Sequence, residues 1–240
     1  MDHCFYDLCV KDKACIDACW EAQYDVVAEE TQRSVSQVLN LPEQVGQNCI
    51  SGEAIRVSQS VRAESRGKIR AVLKRLTVEL DSLKNLDALK VKLTRLHQYD
   101  ILAVIPTDEH TFQYACEKLD IDIIAIDAST VQHFQLKNNS VQAAIGRGVV
   151  FELQYNCSLL SSSSKKIFLA TAMKVVRVTR GGSNVMFSSG GKDPFDIRRP
   201  FDVENLGLLC GINKEEFRRA LLTSNPNKAI ARGIKRRIQL

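Results

Sequence analysis

Acidic side chains lie near the ends of several predicted strands, where they could bind metal ions or act as a general acid/base pair. They are Asp7, Glu29, Glu30, Glu79, Asp81, Asp127 and Glu152. Hydrolysis by bound metal would also need histidines, because imidazole and carboxylate must converge within about 2.0–2.2 Å of each ion. His3 lies beside a predicted strand, whereas His97, His110 and His133 fall in or near helices. Acidic residues also cap helices in any βα fold. A metal-dependent phosphoesterase that uses carboxylates such as Glu29 and Asp127 is therefore kept as an alternative function.

The eight cysteines have neither the density nor the spacing of a disulfide scaffold or a zinc site. Cys15 and Cys19 share one face of a predicted helix, but no second pair accompanies them. We therefore expect reduced thiols in a cytosolic or nuclear protein.

Arg147 stands between two glycines, Gly146 and Gly148. The segment lacks the spacing of a dinucleotide or Walker phosphate loop, so nucleotide binding is weakly supported. A guanidinium on such a tight turn suits either a bidentate phosphate contact or an internal carboxylate.

Charge divides the 240-residue chain unevenly. Residues 1–136 hold 15 Lys and Arg against 21 Asp and Glu, whereas residues 137–240 hold 18 against 7, a net charge of +11. A positive potential of this size favours a polyanion such as nucleic acid. A solvated basic surface on an enzyme, or on a protein–protein scaffold, would have the same composition. No apolar run is long enough to span a membrane, and we expect no membrane partner.

Basic residues that could contact RNA occur in clusters and along a predicted last helix, 226–238. The helix should turn Ile230, Ile234 and Ile238 inward and leave a basic outer face. Reversing Arg232, Lys235 and Arg236 to Glu is then expected to weaken RNA binding without unfolding the protein. The full candidate set is Arg70, Lys74, Arg75, Arg147, Lys165, Lys166, Arg177, Arg180, Lys192, Arg198, Arg199, Lys228, Arg232, Lys235, Arg236 and Arg237.

The elements that must position these residues alternate between strands and helices. Continuous apolar runs such as 101–105 and 123–126 are typical of parallel strands buried on both faces. About eight strands in one domain, 1–240, favour a TIM-like (β/α)₈ barrel, with an open doubly wound sheet as the runner-up. Residues 31–66 form a long insert after the second strand. The eight candidate strands are 5–10, 25–30, 71–80, 100–106, 121–127, 141–145, 149–155 and 184–189.

Several motifs together resemble the thirty-kilodalton TIM-barrel protein subunit shared by ribonuclease P and ribonuclease MRP. The main one is Gly-Arg-Gly-Val-Val-Phe-Glu-Leu-Gln-Tyr at 146–155. Others are Val-Met-Phe-Ser-Ser at 185–189, Asp-Ile-Arg at 196–198 and Phe-Asp-Val-Glu-Asn-Leu-Gly-Leu-Leu at 201–209. Asp-Ile-Leu-Ala-Val-Ile-Pro at 100–106 and Leu-Asp-Ile-Asp-Ile at 119–123 extend the likeness, which covers roughly residues 70–232.

The resemblance implies a non-catalytic barrel, related to the polymerase-and-histidinol-phosphatase superfamily, in which the metal-binding histidines are missing. It implies binding to ribonuclease P RNA, and to MRP RNA, with precursor tRNA present in the assembled complex. It also implies a small RNA-recognition-like protein partner, further ribonuclease P/MRP proteins, and a nuclear or nucleolar location. Cleavage of the tRNA 5′ leader would then belong to the RNA, and Mg²⁺ would be bound only through that RNA.

Overall fold

The computed structural model describes residues 4–41, 70–131 and 134–238, which contain one seven-stranded parallel sheet. Neighbours in the sheet follow the order of the chain from β1 to β7, and each hydrogen-bonded pair is parallel. The strands are β1 Tyr6–Val10, β2 Val26–Ser34, β3 Ala71–Leu80, β4 Ile101–Pro106, β5 Ile123–Ile126, β6 Val150–Gln154 and β7 Val185–Ser188.

The chain beyond β7 returns to β1 and nearly closes the sheet. Val10 pairs with Gly191 in a parallel bridge, and the amide of Gly190 donates to the carbonyl of Cys9 at 2.9 Å. Gly190 has φ +62°, and a Cβ there would lie 2.8 Å from Oε1 of Gln154, so the closing turn requires glycine. The fold is therefore a TIM-like α/β barrel, and the open sheet is excluded.

Helices cover the outside of the barrel in the crossovers between strands. The 3₁₀ turn Pro194–Asp196 precedes the last three helices. The helices are α1 Ala14–Glu21, α2 Val35–Leu39, α3 Leu86–Leu93, α4 Glu109–Glu117, α5 Asn138–Gly146, α6 Cys157–Leu160, α7 Ser162–Val178, α8 Pro200–Leu209, α9 Glu215–Ala220 and α10 Ser224–Ile238. Within the described ranges, none of these helices is long and apolar enough to cross a bilayer.

Successive side chains of each strand point alternately into the barrel and toward the helices. In β3, Leu73 joins the interior cluster, whereas Leu76 and Val78 join the larger cluster beneath the helices. The lower interior is apolar and includes Leu8, Ala103 and Met186, and α10 closes it with Ala229 and Ile230. Above this layer, the next inward-facing position of β3 is Arg75.

Two predictions about the elements are wrong. Residues 141–145, taken as a strand, lie inside α5, whose Ser140, Val141 and Ala144 are buried at helical spacing. The barrel therefore has seven strands in the described residues, where eight were predicted. The start of the 31–66 insert is regular, because β2 runs to Ser34 and a capping box with Gln37 begins α2 there. Residues 42–69 lie outside the described residues, so the rest of that prediction does too.

Candidate nucleic-acid interface

The upper interior of the barrel contains an ion pair between Arg75 on β3 and Glu152 on β6. Nη1 of Arg75 donates to Oε1 of Glu152 at 2.6 Å, and Nη2 donates to Oε2 at 2.5 Å. Nη1 also donates to the carbonyl of Leu8 at 2.7 Å, and Nε donates to Thr77 at 2.9 Å. Both charged side chains are completely buried, so their mutual contacts replace hydration.

Glu30 on β2 completes this interior network. Its Oε1 lies 3.6 Å from Nη2 of Arg75 and accepts a 2.5 Å hydrogen bond from the hydroxyl of Thr77. Lys11 lies 3.8 Å from its other oxygen. Burial acts to raise the pKa of Glu30, but the charges of Arg75 and Lys11, together with hydrogen bonds such as that from Thr77, lower it by more, and the net pKa is lowered. Glu30 is therefore held as a carboxylate.

These contacts disfavour a metal site in the barrel. Glu30 and Glu152 could have been ligands, but the guanidinium of Arg75 already lies between them. Glu29 faces outward, 4.0 Å from Lys13, and Asp127 accepts hydrogen bonds from the amide and hydroxyl of Ser129. Across residues 4–41, 70–131 and 134–238, no three His, Cys, Asp or Glu side chains are grouped so that they could hold a metal ion. His3 and His133 lie outside those ranges.

A separate cleft of about 310 Å³ opens at the carboxyl end of the strands. Lys11 and Lys192 line it together with Glu79 and Asp127, so its charged side chains balance. Of the predicted RNA-binding residues, this cleft contains only Lys192.

Helix α10 lies across the opposite, amino-terminal end of the barrel, and it turns two arginines inward. Nη2 of Arg236 donates to Asp122 at 3.0 Å, and Nη1 of Arg237 donates to Asp100 at 2.5 Å. Each arginine is only 6% exposed. The prediction that Arg236 lies on the outer face of the helix is therefore wrong, and so is the prediction that Arg236 and Arg237 contact RNA. These arginines bind carboxylates that precede β5 and β4.

Arg232 links α10 to the turn between α5 and β6. It donates to the carbonyls of Ile121 and Arg147 and to Oδ1 of Asp120, the last at 2.6 Å. Asp120 is partly exposed, but Nε of Arg232 also lies 3.9 Å from the buried Asp122. Arg232 is therefore already engaged by two carboxylates and serves to fix the position of the helix.

A cleft of about 360 Å³ lies beside this contact, between α10 and the α5–β6 turn, and we name it the basal cleft. Arg147 is half-buried in it and donates to the carbonyls of Cys116 and Leu119. Lys235 is exposed. The charged side chains that line the basal cleft are Asp120, Arg147, Lys228, Arg232, Lys235 and Arg236. The structure thus assembles five of the sixteen predicted residues at one place.

The other predicted residues do not join this group. Lys165 and Lys166 are exposed near the start of α7, and Arg177 and Arg180 lie near its other end, about 18 Å along the helix axis. Arg198 and Arg199 precede α8, and Arg70 packs over the ring of Trp20. Lys74 is exposed on β3. Arg75 has no exposed surface, so its prediction as an RNA contact is also wrong.

Two further expectations about α10 change with its orientation. Ile238, predicted to face inward, is 61% exposed. Reversing Arg232 and Arg236 to Glu would place new carboxylates beside Asp120 and the buried Asp122. That triple reversal is therefore expected to destabilise the fold, contrary to the prediction from sequence.

The sequence analysis missed Lys11 in the network and the acidic partners Asp100, Asp120 and Asp122. Each of these aspartates lies one to three residues before a strand whose apolar run was recognised. The sequence did contain a signal for these contacts. It has acidic residues at the starts of buried strands and a basic last helix that could bind them.

The sequence model of a known family, described as RNase P subunit p30, matches residues 4–238 of this chain. A cryo-EM structure of archaeal ribonuclease P with mature tRNA contains a chain with the same fold. That similarity has a TM-score of 0.64 at 14% identity and covers 98% of this chain and 92% of the other.

Curated relatives agree with the family match. The chain is 34% identical over 161 residues to the mouse ribonuclease P protein subunit p30, covering 66% of this chain and 60% of that protein. It is 37% identical over 163 residues to the Arabidopsis thaliana protein GAMETOPHYTE DEFECTIVE 1, covering 68% and 28%. The probable ribonuclease P protein subunit 3 of Schizosaccharomyces pombe is 27% identical, with 62% of each covered. The matched regions thus span between about a quarter and two thirds of these relatives. From the match to residues 4–238, the chain belongs to the RNase P subunit p30 family.

Proposed function

We propose that this chain is a non-catalytic protein subunit of a ribonuclease P ribonucleoprotein, in which it supports an RNA that removes the 5′ leader of precursor tRNA. The observation that carries the proposal is the family match over residues 4–238, together with relatives named as ribonuclease P subunits. The net charge of +11 on residues 137–240 fits a partner that is a polyanion.

The interior of the barrel supports a non-catalytic role. Arg75 and Lys11 balance the charges of Glu152 and Glu30, so these two carboxylates are not available to a substrate. The chain then needs no resident cofactor, and Mg²⁺ would enter the complex through the RNA. The phosphoesterase alternative has no specific support in the described residues.

The finer assignments belong to the same proposal. Relatives named as ribonuclease P subunits occur in mouse and fission yeast, which supports a nuclear location. A nucleolar location, a second role in ribonuclease MRP and ribosomal RNA processing, and contact with a small RNA-recognition-like subunit follow from the family resemblance.

Co-purification from the native cell tests the proposal. A tagged copy is captured at low salt, and the bound RNA is sequenced with and without prior nuclease treatment. We expect one or two abundant structured RNAs and a precursor tRNA cleavage activity that nuclease destroys. Recovery of partner proteins without any enriched RNA would contradict the proposal. Sequencing also decides between ribonuclease P alone and both complexes.

A further inference from the structure

The basal cleft is the place where predicted cationic residues far apart in the sequence meet. It lies between α10 and the α5–β6 turn, and its volume of about 360 Å³ is at the lower end of the range of roughly 300–1,000 Å³ for ligand sites. The lining combines Arg147 with side chains from 228–236, about 80 residues later. Tertiary structure alone creates this concentration of charge.

Positive charge exceeds negative charge in the basal cleft. Its five cations face Asp120 in the lining and Asp122 beneath it. These two carboxylates are bound to Arg232 and Arg236, which leaves Arg147, Lys228 and Lys235 in surplus. The surplus of three positive charges would be relieved by a bound anion.

Two of the surplus cations have neutral hydrogen-bond partners. Arg147 donates to main-chain carbonyls, and Nζ of Lys228 donates to Oδ1 of Asn225 at 2.8 Å. Burial, followed by the charge of Arg232, lowers the pKa of Arg147, and burial lowers the pKa of Lys228. Arg147 is half-buried and Lys228 is exposed beside it, and a bound anion would stabilise the charged form of both side chains.

The wall of the basal cleft is also held in place before any ligand binds. Arg147 is fixed by the carbonyls of Cys116 and Leu119, and Arg232 is fixed by Ile121, Arg147 and Asp120. Arg236 is 6% exposed and is fixed by Asp122, 3.0 Å from its Nη2. Because these side chains are already ordered, a ligand would lose little affinity to their immobilisation.

We propose that the basal cleft binds the phosphodiester backbone of RNA, without reading the bases. This deepens the proposed function and rests on it. No aromatic side chain lines the cleft, so it offers no surface for base stacking. Surplus cations at a cleft suit phosphate oxygens, and contacts to phosphate fix orientation without reading sequence. Arg147, Lys228 and Lys235 supply the charge, and Arg232 positions the wall.

The test compares two variants that each remove two positive charges. Lys228→Gln/Lys235→Gln changes the basal cleft, and Lys165→Gln/Lys166→Gln changes the exposed start of α7. Binding of two fluorescent RNA hairpins of different sequence, and of a fluorescent poly-glutamate peptide, is measured from 50 to 300 mM NaCl. Thermal melting first checks that each variant is folded. Lys235→Gln against Lys165→Gln provides a matched single-charge pair if a double variant melts early.

We expect the cleft variant to lose roughly tenfold or more in affinity at about 0.1 M salt, with a salt slope shallower by about 1–2. The α7 variant should change both quantities much less, and the wild-type chain should bind hairpins of different sequence equally well. Equal losses in the two variants would overturn the inference. So would unchanged RNA binding by the cleft variant accompanied by lost binding of a poly-glutamate peptide, which would assign the basal cleft to an acidic protein segment.

The two proposals can fail separately. If the wild-type chain captures no RNA in the cell, the proposed function fails. If the wild-type chain captures its RNA and the cleft variant captures as much as the α7 variant, only the assignment of the basal cleft fails.

Discussion

The guanidinium of Arg75 and the carboxylate of Glu152 meet face to face inside the barrel, 77 residues apart in the sequence, with nitrogen–oxygen distances of 2.6 and 2.5 Å. The pair occupies the upper interior, above an apolar layer that α10 closes from below. The centre of this barrel is therefore a structural ion pair, and the surplus charge lies on its outer, amino-terminal end.

Removing Arg75 should expose how much the fold depends on this pair. Arg75→Met leaves Glu152 and Glu30 buried without their main partner, which typically destabilises a protein by about 3–5 kcal/mol. Arg75→Met/Glu152→Gln should be more stable than Arg75→Met alone, because it removes one of the uncompensated charges. Urea denaturation of the three proteins measures the difference. A double variant that is no more stable than Arg75→Met would contradict this description of the interior.

Asp7 should make stability depend on pH. Burial is the main cause that raises its pKa to about 6, from an ordinary value of 3.8, against the opposing hydrogen bonds from Ser189 and Cys9. A raised pKa means that the folded state holds the proton more tightly than the unfolded chain. The resulting stabilisation is complete below pH 3.8 and is lost as the pH rises through about 6.

Comparison with Asp7→Asn isolates this effect, because the variant cannot titrate at that position. Relative to the variant, the wild type should lose roughly 2 kcal/mol between pH 4 and pH 7. Denaturation by urea at four pH values in this interval gives the difference. A constant difference across the interval would show that Asp7 does not titrate there.

Gly233 should be essential for seating α10. A Cβ at this position would lie 2.3 Å from the main-chain oxygen of Asp100, the residue that also binds Arg237. Gly233→Ala is therefore expected to destabilise by about 1–3 kcal/mol, although alanine favours a helix by about 1 kcal/mol. Gly146→Ala is the matched control, because a Cβ there meets nothing within 4 Å. Equal stability of the two variants would contradict the close contact.

Charge reversal on α10 should separate structural from exposed basic residues. Arg236→Glu places a carboxylate beside the buried Asp122 and should lower the melting temperature by several degrees. Lys235→Glu, on the exposed neighbouring position, should leave it nearly unchanged. Similar melting temperatures for both variants would mean that the Arg236–Asp122 contact is not formed.

Much of the barrel could be predicted from the sequence because its strands are continuous apolar runs. The run at 71–80 became β3 with the same bounds, and 101–105 became most of β4. The end of β2, residues 31–34, was missed because its residues are polar. Polar residues fit there because that end of the strand is partly exposed. Residues 141–145 were wrongly predicted as a strand because a short apolar run fits a strand and a buried helix equally well.

The basic residues were found in the sequence, but their roles depend on partners far along the chain. Arg236 and Asp122 are 114 residues apart, and Arg237 and Asp100 are 137 apart. A helical projection therefore shows a basic stripe without showing that part of it is neutralised. The family resemblance, by contrast, depended on local motifs such as 146–155, and the match over residues 4–238 confirmed it.

Cleavage of precursor tRNA by the purified ribonucleoprotein tests the central claim most directly. Complexes are isolated with wild-type chain, with Glu29→Gln/Asp127→Asn, and with Lys228→Gln/Lys235→Gln, and release of the 5′ leader is measured at several salt concentrations. We predict normal cleavage with the carboxylate variant, weaker assembly with the cleft variant than with the wild type at about 0.1 M salt, and no cleavage by the chain alone. Cleavage by the chain without RNA, abolished in Glu29→Gln/Asp127→Asn, would contradict the account.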